Sequence, residues 1–200
     1  MLQILVATHN ENKKKEIQTL LKGFKGIKIM DLADLEVAPP IIVEDGKTFR
    51  QNAVKKALTM SRFFDGLVLA DDSGLEVEAL DGKPGVRSAR FARAKATDQE
   101  NNDKLLRLLE GTPDNKRDSK FVCTLALARQ GDLLGTFEGI VKGMVIEKPK
   151  GKNGFGYDPL FVPKGNGKTF AEMTASDKNK ISHRSNALKK FKKDVSKYLK

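Results

Sequence analysis

A chain of 200 residues with 39% hydrophobic and 32% charged side chains has the size and balance of one large globular domain with a real core. It has no apolar run near the roughly 20 residues of a membrane helix; a single cysteine excludes an internal disulfide, and one cysteine with two histidines excludes the usual zinc ligand sets. A net charge of +11 invites a polyanionic partner, although a Lys-rich solvated surface is the commoner cause.

The N-terminus, Met1-Leu2-Gln3-Ile4-Leu5-Val6, lacks a basic leader and a cleavage site, and so predicts a first strand rather than a signal peptide. With Cys123 inside an apolar strand pattern, this fits a reducing, cytoplasmic compartment and a packing role for the thiol. Thr8-His9-Asn10-Glu11-Asn12 is a polar turn, and a helix from about Lys13 to Leu21 carries Ile17, Leu20 and Leu21 on one face. A strand feeding a helix through a polar turn sets a helix N-terminus at the strand's end, where phosphate binds readily. Thr8, Asn10 and Lys13 then offer a hydroxyl, an amide and a cation to one anion, a signal that is weak alone. Ile27–Met30 reads as a second strand, and residues 31–46, with Pro39-Pro40, as an extended connection. Glu44 lies before the next helix, either as an acid aimed at a metal or as favourable charge near a helix N-terminus. Thr48-x-x-Gln51 predicts a capping box for a helix reaching about Phe64, with Phe49, Ala53, Ala57, Met60 and Phe64 on its inner face.

Leu67–Ala70 has the length and branching of a buried strand and stops at Asp71-Asp72-Ser73-Gly74. A second run follows, Leu75, Val77 and Ala79 alternating with Glu76 and Glu78. Paired acids at the end of a buried strand sit where α/β sheets open their ligand crevice, and they suit Mg²⁺, which shares oxygen ligands with substrate phosphates. A capped turn explains the same residue types, and the two readings stand level. Asp81–Gly85 is a turn, and Arg87 and Arg90 follow it as phosphate contacts, a subunit contact or, more commonly, solvated surface. Thr97-x-x-Glu100 is a second capping box, opening a helix with Leu105, Leu106, Leu108 and Leu109 that Gly111 and Pro113 end. Lys120–Ala128 alternates as a long strand, Gln130-Gly131-Asp132 is a hairpin turn, and Leu133–Phe137 and Ile140–Ile146 complete a meander. The sheet is therefore mixed.

Residues 149–158 form a glycine-rich loop whose two aromatics, Phe155 and Tyr157, are poorly placed for a core and well placed to stack on a base. Leu160–Val162 is a short strand. Gly165–Thr169 looks like half of a P-loop, but the first glycine of that motif is replaced by Val162 and no Walker-B acid follows, so the motif is rejected. Lys178 and Ser182-His183-Arg184 lie near the N-terminus of a final amphipathic helix with Leu188, Phe191, Val195 and Leu199 on its apolar stripe. A nucleophile elbow is absent, which disfavours Ser-His-Asp chemistry. What is left is acidic at Glu44, Asp71 and Asp72, basic at Lys13, Lys178 and Arg184, and aromatic at Phe155 and Tyr157. Acids for Mg²⁺, cations for phosphates and aromatics for a base together describe a nucleotide phosphohydrolase. Two competitors are a basic nucleic-acid-binding module, for which no recognised motif organises the charge, and a phosphomonoesterase with an aspartyl nucleophile.

Thr8-x-Asn10-x-x-Lys13, Ala70-Asp71-Asp72-Ser73-Gly74-Leu75, Pro84-Gly85-Val86-x-Ser88-Ala89-Arg90, Gly154-Phe155-Gly156-Tyr157-Asp158-Pro159 and Ser182-His183-Arg184 stand in the order and spacing of the inosine/xanthosine triphosphate pyrophosphatases. The chain resembles that family from end to end, with His9 standing where glycine is common. The resemblance implies hydrolysis of ITP, dITP and XTP to the monophosphate and pyrophosphate with Mg²⁺. It implies an α/β fold: a long curved mixed sheet flanked by helices, one domain over residues 1–200, with two lobes and a nucleotide cleft. It also implies a homodimer, with no membrane and no stable nucleic-acid partner. By position, Thr8, His9, Asn10, Glu11, Asn12 and Lys13 hold the triphosphate. Asp72 binds the metal and acts as general base, Glu44 is a second metal ligand, Asp71 supports them, and Ser73 contacts substrate. Phe155, Gly156, Tyr157, Asp158, Lys178, His183 and Arg184 form the base pocket. There a donor such as Arg184 or a backbone N–H donates to the oxygen at purine position 6 and refuses adenine's amino group.

Overall fold

The computed structural model describes residues 2–198, so Met1, Lys200 and Leu199 of the expected apolar stripe lie outside the described residues. In chain order the elements are β1 (Leu2–Ala7), α1 (Glu11–Leu21), β2 (Ile27–Asp31), α2 (Phe49–Ser61), β3 (Leu67–Val77) and α3 (Asp98–Leu108). They continue with β4 (Asp118–Arg129), β5 (Asp132–Val145), β6 (Phe161–Pro163), α4 (Ala175–Ile181) and α5 (His183–Val195). The six strands form one sheet in the order β2-β1-β3-β4-β5-β6. β1 pairs in parallel with both β2 and β3, and β6 is antiparallel to β5, so the sheet is mixed as expected. β4 and β5 are joined by Gln130 and Gly131, both at positive φ as a two-residue hairpin turn demands.

The chain divides into two units: the chain up to Asp72 with Cys123–Gly139 and the chain from Arg184 onward, and Ser73–Val122 with Ile140–His183. In the first unit the period of two along each strand sorts the side chains onto two faces. Ile4, Val6, Leu67, Leu69, Cys123, Leu125 and Leu127 pack against Ile17 and Leu21 of α1 and Leu188, Phe191 and Val195 of α5. Leu5, Ala7, Val68, Ala70, Ala126 and Ala128 pack against Ala53, Ala57 and Met60 of α2. Each large apolar side chain so buried contributes about 1.5–3 kcal/mol. In the second unit Leu75, Val77, Leu105, Leu109, Phe121, Val145, Phe161 and Phe170 form one cluster, with the Phe121 and Phe161 rings edge to face at 4.8 Å.

Three local expectations change. The acidic stretch does not end a strand: β3 runs unbroken from Leu67 to Val77 through Asp71-Asp72-Ser73-Gly74. Turn propensity is overruled here because both carboxylates find partners, Asp71 on α1, α5 and β4 and Asp72 on α2. Gly74 serves close approach rather than a turn, since a Cβ there would lie 2.2 Å from Ser88 Oγ. Likewise Leu133–Phe137 and residues 140–145 are parts of one strand, β5, and Ile146 lies just past its end. Finally, Thr48 caps α2 by accepting from Gln51 N, but Gln51 Oε1 accepts from Lys47 N, so the return arm of that box reaches one residue further back. The box at Thr97 and Glu100 forms in full.

Candidate functional site

Ala7 is paired in register with Ala70, so the turn after β1 starts beside Asp71. Thr8 Oγ1 accepts from Asn10 N at 3.2 Å, and Asn10 caps α1 by accepting from Lys13 N at 3.0 Å. His9, Asn10, Glu11 and Asn12 are exposed around this helix N-terminus. Lys13 turns inward, and its ammonium meets Asp71 Oδ1 at 2.7 Å.

Asp71 is wholly buried and saturated. Its Oδ2 accepts from Arg184 Nε at 3.3 Å and from Cys123 Sγ at 3.0 Å, and Arg184 also pairs with Glu16. Burial alone would raise the Asp71 pKa, but the charges of Lys13 and Arg184 overcome it and hold the carboxyl well below the usual range. Burial likewise pulls the Lys13 pKa down, and Asp71 more than restores it. Asp71, Lys13 and Arg184 therefore stay charged across the working range. Burial, and then the Asp71 charge, push the Cys123 thiol well up, so it is a protonated donor and not a nucleophile.

Asp72 has the opposite environment. Its Oδ2 accepts from Asn52 Nδ2 at 3.0 Å, and its Oδ1 lies 3.7 Å from Lys56 Nζ. The same ammonium donates to Glu44 Oε1 at 2.9 Å and to the Asp71 carbonyl at 2.6 Å. Burial raises the Asp72 pKa, and Lys56 and Lys13 only partly oppose it. Glu44, Lys56 and Asp72 thus form a carboxylate–ammonium–carboxylate array. Among the described residues no set of three His, Cys, Asp or Glu side chains is placed to hold a metal. Two carboxylates with only oxygen donors nevertheless fit Mg²⁺, which keeps waters and takes its other ligands from phosphates.

In the second unit the glycine-rich loop closes around Asp158. Its Oδ2 accepts from Phe155 N at 2.9 Å and pairs with Lys178 Nζ at 2.5 Å, both partners being buried. Lys178 Nζ also lies 4.8 Å from the centroid of the Phe155 ring and 5.5 Å from that of Phe170, a cation held by a carboxylate and two aromatic faces. Gly154 makes this possible: its φ is +74°, and a Cβ would sit 2.0 Å from Asp158 Oδ2. Ser73 is half-buried on β3, and the buried His183 ring stacks on Phe121 at 4.7 Å.

The structure brings Lys13, Asp71 and Arg184 together, sets Glu44 with Asp72, and sets Phe155 with Asp158 and Lys178. Two residues are placed differently from expectation. Tyr157 is no stacking platform: its ring joins the apolar cluster of the second unit and its hydroxyl donates to Ser88 O at 2.9 Å. Burial pushes its pKa upward, so it stays a neutral phenol. Arg184 is paired with two carboxylates. Its guanidinium is buried against Asp71 and Glu16, because the first turn of α5 packs on the same sheet face as α1. Sequence reasoning missed Glu16, Asn52 and Lys56. For the last two there was a signal, a polar pair at i, i+4 beside the apolar stripe of α2.

A family model described as the Ham1 family matches residues 4–194 of this chain. The dITP/XTP pyrophosphatase of Thermoanaerobacter sp. (strain X514) is 46% identical over 199 residues, 99% of this chain and 98% of that protein. That of Shouchella clausii (strain KSM-K16) is 46% identical over 195 residues, 98% of this chain and 97% of its own. Among solved structures, a HAM1 protein from Coxiella burnetii aligns with a TM-score of 0.88 at 38% identity, covering 98% of this chain and all of that one, 100%.

Proposed function

The chain belongs to the Ham1 family, and from that premise we propose that it hydrolyses deaminated purine nucleoside triphosphates, dITP, ITP and XTP, to the monophosphate and pyrophosphate. The observation that carries the chemistry is the opposed state of two adjacent carboxyls. Asp71 is locked ionised by two cations, whereas burial raises the Asp72 pKa above its ordinary value. Neighbouring acids with pKa values driven apart mark a division into a structural and a proton-accepting group. Asp72 is then the general base, taking the proton of the attacking water on a carboxylate oxygen. Glu44 and Asp72 are the residues that would hold Mg²⁺, and that ion, when bound, neutralises charge developing on the phosphoryl oxygens.

The chain's own groups do the rest. The exposed N-terminus of α1, with Thr8, His9, Asn10, Glu11 and Asn12, presents backbone N–H groups to phosphate. Lys13 supplies the cation, kept charged and oriented by Asp71, and Lys56 holds Glu44 and Asp72 at a common point. In the second unit we assign Ser73 to substrate contact, and Phe155, Gly156, Asp158 and Lys178 to the purine. A donor presented to the oxygen at position 6 accepts hypoxanthine and xanthine and meets adenine's amino group donor to donor, a mismatch that costs roughly 10⁴-fold where the partners are buried. We read residues 1–200 as one pyrophosphatase domain with two lobes. No helix among the described residues is long and apolar enough to cross a membrane. The buried reduced Cys123 supports action on a cytoplasmic nucleotide pool, and the resemblance to the inosine/xanthosine triphosphate pyrophosphatases supports a homodimer.

The test is turnover of dITP, ITP, XTP, ATP and GTP with and without Mg²⁺, with the inorganic product identified. Metal-dependent release of pyrophosphate from the first three, and little from ATP or GTP, is expected. Orthophosphate as product would overturn the proposed reaction, and equal use of all five would overturn the base selectivity.

A further inference from the structure

We propose that Asn52 is the positioning residue of this site, tying the loop that carries Glu44 to the carboxylate of Asp72. Asn52 is completely buried on α2, and each end of its amide is used. Oδ1 accepts from Gly46 N at 2.7 Å, and Nδ2 donates to Asp72 Oδ2 at 3.0 Å. The amide's orientation follows from its neighbours: a backbone N–H can only donate, and an ionised carboxylate can only accept. One rigid group therefore sets two things at once. It fixes the rotation of the Asp72 carboxyl, assigning Oδ2 to Asn52 and leaving Oδ1 on the side of Lys56. It also pins the backbone two residues after Glu44, an acid otherwise carried on a segment whose neighbours Val43 and Ile41 are 65% and 96% exposed. Gly46 is part of the same device, since a Cβ there would lie 2.5 Å from Asn52 Oδ1 and force the amide away.

The role rests on the assignment of Asp72 as general base, and two perturbations from opposite sides test it. Asn52→Asp keeps the volume and the acceptor for Gly46 but removes the donor and sets a second acceptor against Asp72. Gly46→Ala leaves Asn52 in the chain and displaces it. Each is expected to lower kcat for dITP about 10²-fold, the scale of a misplacement near 1 Å, with KM within about threefold. A residue acting through Asp72 adds nothing once that group is gone, so Asp72→Asn with Asn52→Asp should be no slower than Asp72→Asn alone. A purely structural Asn52 would slow the double variant further. The second readout needs no turnover: amide hydrogen exchange at Gly46, slow in the wild type and in Asp72→Asn, should become fast in Asn52→Leu. A kcat within threefold of wild type in both single variants, additive losses in the double variant, or unchanged exchange at Gly46 would overturn the proposal. A wild type that releases no pyrophosphate from dITP would instead overturn the proposed reaction, and the exchange measurement would still decide whether Asn52 holds the loop.

Discussion

Replacing Arg184 by methionine separates a structural arginine from one that reads a base. The side chain is 1% exposed, and it spans the fully buried Asp71 and a Glu16 that is 15% exposed. Methionine retains much of the stem and removes the charge. Breaking a buried ion pair from one side costs about 3–5 kcal/mol, because the abandoned partner stays desolvated. Asp71 keeps Lys13 at 2.7 Å and the Cys123 thiol at 3.0 Å, and Glu16 can turn toward water, so the lower end applies, about 3 kcal/mol. For a chain of this length each kcal/mol moves the melting temperature by about 2–4 °C, giving an expected fall of about 6–12 °C. Calorimetry would read the melt, and initial rates at low temperature would compare ITP with ATP. The structure predicts a large loss of stability and an unchanged ITP/ATP preference in the surviving folded enzyme. A melt within 2 °C of wild type together with a collapsed preference would refute this placement and return Arg184 to the base pocket.

Asp72→Asn should fold and melt no lower than wild type near neutral pH, yet lose about 10²–10⁴-fold in kcat, the usual share of a general base. Burial raises the folded pKa, so ionised Asp72 lowers stability as pH rises through that value, and asparagine removes this loss. In the metal-free protein the Asp72 carboxyl should correspondingly titrate above the ordinary carboxylate value near 4, read by carboxyl carbon NMR, and a titration below 4 would contradict this environment. Asp71 has the opposite sign: its depressed folded pKa contributes stability above the unfolded value of roughly 4 that is lost as pH drops toward the folded one. Melting temperature against pH should show this acid loss in wild type and lack it in Asp71→Asn, which starts lower because Lys13 and Arg184 are left buried together; parallel curves would dismiss the ion cluster as a source of stability. Tyr157→Phe should cost about 1–3 kcal/mol through the abandoned Ser88 carbonyl and leave the KM for ITP unchanged, whereas a raised KM without a stability loss would restore Tyr157 as a substrate contact.

How much could be read in advance depended on how local the cause was. Strands β1 and β4 and the caps at Thr48 and Thr97 are set by nearby residues, and their patterns predicted them. Glu44, Asp72, Lys13, Asp158 and Lys178 stood out as charges in motif positions. The sequence was least informative where a distant partner decides a residue's surroundings. Tyr157 sits among glycines in the chain, but the cluster it joins draws Phe121 from β4 and Phe161 from β6. Arg184 carries a charge that suggests a ligand, and its real counterions lie 113 and 168 residues away, at Asp71 and Glu16. Asn52 reads as an ordinary mid-helix amide until both its partners are known.

The misjudged turn at Asp71-Asp72 explains why two identical neighbours can do different work. A turn would let both carboxylates face one solvent-lined side, where like charges a few ångströms apart resist joint ionisation. In a strand, successive side chains point to opposite faces. Leu67 and Leu69 lie on the face of α1 and α5, and Asp71 continues that row into Lys13, Arg184 and Cys123. Val68 and Ala70 lie on the face of α2, and Asp72 continues that row into Asn52 and Lys56. The sheet therefore separates the two acids with its own backbone. It gives one of them a pair of cations that hold it ionised, and leaves the other desolvated with an amide and a shared ammonium. The proposed division into a supporting acid and a proton acceptor thus follows from strand geometry at one dipeptide, and it requires that β3 stay unbroken through Gly74.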